Sequence, residues 1–223
     1  MYNLYIDIGN TAVKWLFNGE YQSVLVADFS IDLLPQASRV HVSCVGDKSV
    51  LGSLDNTTFV RSQATFASFK SAYDSPQDLG IDRFLAMIAA IDQLPNQNIL
   101  IIDVGSACTF DLVLASGEHQ GGLIMPGLGV LRRSFDQFSS QSKNITLESL
   151  ASNTIDGWEY GTSQMLMSVI TAQIENHQSK LGELQVLLTG GDAKMVAYRL
   201  NQSVIIKQNL VLEGLALYAQ SHN

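Results

Sequence analysis

The sequence predicts an α/β fold whose plan is written twice, and three observations predict it. The apolar runs Leu4-Tyr5-Ile6 and Ile99-Leu100-Ile101-Ile102 each lead into an aspartate, a glycine and small hydroxyl residues. These are Asp7-Ile8-Gly9-Asn10-Thr11 and Asp103-Val104-Gly105-Ser106-Ala107-Cys108-Thr109. In both halves, short strand patterns come first and helical patterns follow. A strand ending this way turns sharply on its glycine and leaves backbone N–H groups free to face an anion. An aspartate in such a turn repels a phosphate unless a cation lies between them, so the paired turns predict phosphates clamped between two halves.

The first half reads as strands over 4–8, 13–17, 23–27, 39–45 and 58–61. Val40, Val42 and Cys44 alternate with His41 and Ser43, the period of a half-buried strand. A helix follows over 81–94, stopped by Pro95, with Ile81, Phe84, Leu85, Ile88, Ile91 and Leu94 near one face. The second half reads as strands over 99–104, 108–115 and 119–124, with turns at Gly105 and Gly117. Helices over 128–138, 158–177, 193–200 and 211–220 follow, with strands over 184–188 and 204–206 between them. No low-complexity stretch separates the halves, which divide as 1–98 and 99–223, the last helix free to pack back on the first half.

The 223 residues can bury a substantial core, and 46% hydrophobic against 15% charged residues describes a compact globular chain. A net charge of −8 argues against a nucleic-acid surface, which needs clustered Lys and Arg. Cys44 and Cys108 lack C-x-x-C spacing and read as reduced thiols. The N-terminal residues show no signal peptide, and no apolar run reaches the ~18 residues of a membrane span. The expectation is a cytoplasmic protein.

Candidate site residues fall into five groups. Lys14 lies on the strand after the Asp7 turn, within reach of a phosphate, although Asn10-Thr11 would serve equally in a plain hairpin. Gly80-Ile81-Asp82-Arg83 opens the first helix. Asp82 either complements the helix dipole or takes a proton from a substrate hydroxyl while Arg83 holds an anionic group. A helix N-terminus and a neighbouring arginine make Asp82 a weak base, which phosphoryl transfer tolerates because its transition state is loose. The Asp103 turn carries Ser106. Gly121-Gly122-Leu123-Ile124-Met125-Pro126-Gly127 leads into a helix. Thr189-Gly190-Gly191-Asp192-Ala193 ends an apolar strand, and its glycines let a flat ring or ribose lie on the backbone; a turn capped by Asp192 is the plain alternative. The four histidines share no metal-site spacing, and neither a P-loop nor a G-x-G-x-x-G fingerprint occurs.

Taken in order, these motifs resemble those of type III pantothenate kinases, members of the acetate and sugar kinase, chaperone and actin-like superfamily. The resemblance runs from Asp7 to Leu212-Glu213-Gly214-Leu215. It implies an actin-like ATPase fold of two ribonuclease-H-like halves. The implied reaction is transfer of the ATP γ-phosphate to the hydroxyl of pantothenate, the first committed step of coenzyme A synthesis. It also implies roles for residues. Asp82 is the proton acceptor, and Tyr73, Gly80, Ile81, Asp82, Arg83 and Thr154 bind pantothenate. Asp7, Ile8, Gly9, Asn10, Thr11, Ala12, Val13, Lys14, Ser106, Gly190 and Gly191 bind ATP. Asp103 holds a monovalent cation, K⁺ or NH₄⁺, and Asp7 helps to place Mg²⁺. Members are homodimers, so a homodimer is expected here. Ser106 stands where a threonine is usual but keeps the hydroxyl, and Gly157-Trp158 departs from the usual residues beside the substrate pocket.

Rival readings share parts of this pattern. A sugar kinase of the same superfamily would use the Asp7, Asp103 and Gly190-Gly191 turns but gives no reason for Arg83. A non-catalytic ATP-binding regulator would have no need of both Asp82 and Asp103. A filament-forming actin-like ATPase would hydrolyse ATP without an acceptor.

Overall fold

A computed structural model describes residues 2–148 and 150–222, and the chain divides into two units. Unit one comprises Met1–Gln93 with Asn209–Asn223, and unit two comprises Leu94–Gln208.

Unit one is built on a five-stranded sheet of β1 (Asn3–Ile8), β2 (Ala12–Phe17), β3 (Glu20–Leu25), β4 (Arg39–Cys44) and β5 (Thr57–Phe59). Their order is β3-β2-β1-β4-β5. β1 runs antiparallel to β2 and parallel to β4, and β5 is parallel to β4. Period-two alternation buries Leu4, Ile6, Ile8, Val13, Trp15, Val40 and Val42 on one face. The same alternation turns Tyr5, Asp7, His41 and Ser43 to the other face, where the Tyr5 and His41 rings stack at 5.7 Å. A small hairpin of β6 (Thr65–Phe66) and β7 (Phe69–Lys70) precedes helix α1 (Ile81–Gln93). The C-terminal helix, Leu210–Ser221, packs along α1 and against β1 and β4. Helix α1 is buried nearly all round, Arg83 included, which is why its apolar residues run beyond a single stripe.

Unit two repeats the topology with β8 (Ile99–Val104), β9 (Ala107–Val113), β10 (His119–Pro126), β11 (Gln185–Thr189) and β12 (Ile205–Ile206). Their order is β10-β9-β8-β11-β12, with β8 antiparallel to β9 and parallel to β11. The core joins Leu100, Ile102, Val104, Cys108 and Phe110 to Leu166 and Ile170 of the long helix α3 (Thr154–Leu181) and to Val196 of α4 (Ala193–Arg199). Helix α2 covers only Leu128–Arg133, shorter than the sequence pattern suggests. Ser134 Oγ donates to the Leu131 carbonyl at 2.7 Å, and Trp158 Nε1 donates to the Arg132 carbonyl at 3.0 Å. Two carbonyls that would continue the helix are thereby taken. Arg132 itself is buried and donates to the Asn144 carbonyl at 2.6 Å and to Ser163 Oγ at 3.0 Å, tying the segment after α2 to α3. Helix α3 starts earlier than its pattern suggests because Asn153 caps it, its Oδ1 accepting from Asp156 N–H at 3.0 Å.

Both cysteines are free thiols, and burial, with a smaller push from Asp103, raises Cys108 to about 12. Among the described residues, no helix is long and apolar enough to cross a membrane.

Candidate active site

Asp7 closes β1 on the face away from the apolar core and is 5% exposed. Strand register sets Lys14 of β2 on one side of it and Ser43 of β4 on the other. Ser43 Oγ donates to Asp7 Oδ1 at 2.9 Å, and Lys14 Nζ lies 4.0 Å from Oδ2. Burial pushes the Asp7 carboxyl above its ordinary value. Lys14 and the Ser43 bond pull it back, and the negative charge of Asp82 pushes it further up. Asp7 and Asp82 therefore act on one another within unit one.

Asp82 stands in the first turn of α1, where its Oδ1 accepts from Arg83 N–H at 2.8 Å. Gly80 makes room for it: a Cβ there would lie 2.7 Å from Asp82 Oδ1. The Arg83 side chain turns into the unit, where Nη1 donates to the Tyr73 hydroxyl at 2.9 Å and the guanidinium lies 5.7 Å from the Tyr73 ring centroid. A phenol holds a guanidinium in place without carrying a counter-charge of its own. Ile8 and Val13 belong to the core by their side chains and have only backbone to offer a ligand. Gly9 N–H closes the turn on the Ala12 carbonyl at 3.0 Å, leaving Asn10 and Thr11 exposed.

In unit two, Asp103 ends β8 in register with Thr109 of β9 and Thr189 of β11. Gly190 packs directly on it. With φ of +92°, Gly190 is left-handed, and a Cβ there would strike Asp103 Oδ1 and the Val104 carbonyl. Asp192 N–H donates to that carbonyl at 2.9 Å, and the Asp192 side chain makes no capping bond to α4. The turn is therefore closed by backbone, not by the aspartate cap that the sequence alone allowed. Ser106 and Gly191 are exposed, and so is Thr154 in the first turn of α3.

Unit one thus holds Asp7, Ile8, Gly9, Asn10, Thr11, Ala12, Val13, Lys14, Tyr73, Gly80, Ile81, Asp82 and Arg83. Unit two holds Asp103, Ser106, Thr154, Gly190 and Gly191. Ser43, bonded to Asp7, is the neighbour that the motifs miss. Its signal is the polar phase of the β4 alternation, which becomes informative only once β4 is paired with β1.

Among the described residues no three His, Cys, Asp or Glu side chains gather to hold a metal. Mg²⁺ binds through one or two carboxylates plus substrate phosphates. Asp7 Oδ2 is such a donor. At Asp103, the missing Cβ of Gly190 lets that backbone pack directly on the carboxylate oxygen Oδ1.

The model of the type III pantothenate kinase family matches residues 48–176. A type III pantothenate kinase from Colwellia psychrerythraea is 32% identical over 97% of this chain and 99% of its own. Among solved structures, one from Campylobacter jejuni named as a Baf family transcriptional activator is similar with a TM-score of 0.68, at 22% identity and 98% coverage of both chains. The activator of the 2-hydroxyisocaproyl-CoA dehydratase from Clostridium difficile, solved with bound ADPNP, gives 0.54 at 16% identity, covering 100% of this chain and 95% of that one. These structural likenesses show the fold, that of the actin-like ATPases and sugar kinases.

Proposed function

The chain belongs to the type III pantothenate kinase family, and from that premise we propose how its own residues carry the reaction. The reaction is ATP-dependent phosphorylation of pantothenate to 4'-phosphopantothenate, which opens coenzyme A biosynthesis. Pantothenate has a carboxylate at one end and a primary alcohol at the other, so it needs one cation and one proton acceptor. Arg83, aimed by Tyr73, receives the carboxylate. Asp82 takes the hydroxyl proton as the oxygen bonds to the γ-phosphorus and the bond to the departing ADP breaks. Gly80 and Ile81 shape the approach, and Thr154 contacts the same substrate. The Gly9–Lys14 segment, through groups other than the Gly9 N–H that closes the turn, the Lys14 ammonium and Ser106 hold the phosphates. Gly190 and Gly191 lie against the nucleoside. Asp7 would hold Mg²⁺, which when bound would supply charge neutralisation for the transferring phosphoryl group. Asp103 would hold a K⁺ or NH₄⁺ ion.

The observation that carries this assignment is the Arg83–Tyr73 bond one residue beyond Asp82. A neutral sugar gives no reason to aim a buried guanidinium beside the base. The test is ADP release with Mg·ATP and K⁺ against pantothenate and a panel of sugars. Release stimulated by pantothenate alone is expected, and release stimulated only by a sugar would overturn the substrate assignment.

The working form is a cytoplasmic homodimer. Unit two exposes Leu123, Ile124, Phe135, Phe138, Leu150 and Ile155, and rings of Phe135, Phe138 and Trp158 cluster within 5.1–6.2 Å. Exposed apolar side chains with a ring cluster among them suit an interface better than solvent. Sedimentation velocity should give twice the chain mass, and a concentration-independent monomer would contradict the dimer.

A further inference from the structure

We infer that Ser43 is a positioning residue for Asp7, holding Oδ1 so that Oδ2 faces the phosphate-binding side of the β1–β2 turn. The inference rests on the reading above in which Asp7 serves Mg·ATP.

A carboxylate at a strand end turns easily, because its last torsion is broad and has no deep staggered well. Something must fix it if one oxygen is to meet a ligand. Lys14 is a poor candidate for that work. Its Nζ is 4.0 Å from Oδ2, beyond hydrogen-bond range, and a third of its side chain is in solvent. Ser43 is fully buried on β4, and the parallel register sets it directly beside Asp7. Its hydroxyl donates to Oδ1 at 2.9 Å. The rigid partner therefore grips Oδ1, and the pliable cation stands by Oδ2. That division leaves Oδ2 as the oxygen free to change partners when a ligand arrives. Unit two uses the same register position for a hydroxyl residue, since Thr189 pairs with Asp103 across β11 and β8. A threonine is thus compatible with this place in the fold.

The rival explanation is that Ser43 merely satisfies a buried acceptor and supports the sheet. Titration calorimetry with a non-hydrolysable ATP analogue, run once with Mg²⁺ and once with EDTA, separates the two. Five proteins are compared: wild type, Ser43→Ala, Ser43→Thr, Asp7→Asn and the Asp7→Asn/Ser43→Ala double variant. Ser43→Ala should weaken Mg²⁺-dependent binding about tenfold and leave binding in EDTA unchanged. Ser43→Thr should restore it. In the Asp7→Asn background the Ser43→Ala change should have no further effect, because the serine acts only through that carboxylate. Equal weakening with and without Mg²⁺, or an equal loss in the Asp7→Asn background, would make Ser43 structural and overturn the inference. If Asp7→Asn alters Mg²⁺ dependence and Ser43→Ala does not, the inference fails while the Asp7 assignment survives. If Asp7→Asn itself leaves Mg²⁺ dependence intact, the Asp7 assignment fails and takes the inference with it.

Discussion

The two sheets share strand order and strand sense, yet their acidic strand ends are furnished differently. In unit one, Asp7 is buried between a lysine and a serine, and the turn beyond it closes from Gly9 N–H to the Ala12 carbonyl at 3.0 Å. In unit two, Asp103 is only half-buried, faces two threonines by register and lies under Gly190. Its turn closes from Gly105 N–H to the Ala107 carbonyl at 2.9 Å, one residue sooner. Topology decides where a carboxylate can stand, and the neighbouring strands decide what it can do there. The first turn is longer and flanked by Lys14, and the second closes one residue sooner with left-handed Gly190 packed on its aspartate. At the head of α1, unit one sets a second carboxylate, Asp82, beside the buried arginine Arg83.

That contrast predicts where substitutions do most damage. Asp82→Asn should lower kcat by roughly 10³ while nucleotide affinity stays within a few-fold, since a positioned base contributes on that scale. Retention of near-full turnover would move the base elsewhere.

Next in size are the glycines that press on the two acidic strands. Gly190→Ala forces a left-handed φ on alanine and drives Cβ into Asp103 and the Val104 carbonyl. Gly46→Ala meets only the Gly9 carbonyl, without a left-handed φ. Thermal unfolding should show Gly190→Ala costing about 2–4 kcal/mol, and Gly46→Ala less. The reverse ranking would mean that backbone strain is not what distinguishes the turns.

A smaller and opposite effect is expected at Asp7. Because burial raises this carboxyl, ionising it costs the folded state. The stability it contributes is present below the ordinary carboxylate value and lost as pH rises through the raised one. At pH 7 the ligand-free Asp7→Asn protein should therefore unfold at a higher Tm than wild type. The gain should fade toward pH 3, and an Asp7→Asn protein less stable at pH 7 would contradict the burial argument.

Much of this was legible in the sequence. Apolar runs ending in Asp-x-Gly identified both β1 and β8, and the spacing in 81–94 located α1 to within a residue of its end. What stayed hidden depends on partners remote in sequence. The end of α2 is set by Trp158 on another helix. The start of α3 hides behind Gly157, which reads as a break although Asn153 caps the helix before it. The β6–β7 hairpin has two residues per strand, too few to show a period. At the site, Tyr73 and Arg83 could be named from the motif, but their bond could not, and Ser43 gains meaning only beside Asp7.

In the proposed reaction, adjacent residues of α1 read opposite ends of one substrate. The most direct measurement is KM for pantothenate and for its analogue with the carboxylate reduced to an alcohol, in wild type and in Arg83→Ala. Wild type should prefer pantothenate strongly, and Arg83→Ala should lose about 10- to 100-fold on pantothenate, the range for a charge-assisted contact. It should lose little on the alcohol and keep its KM for ATP. An equal loss on both substrates would show that Arg83 supports the fold of the site rather than the carboxylate, and would contradict the claim.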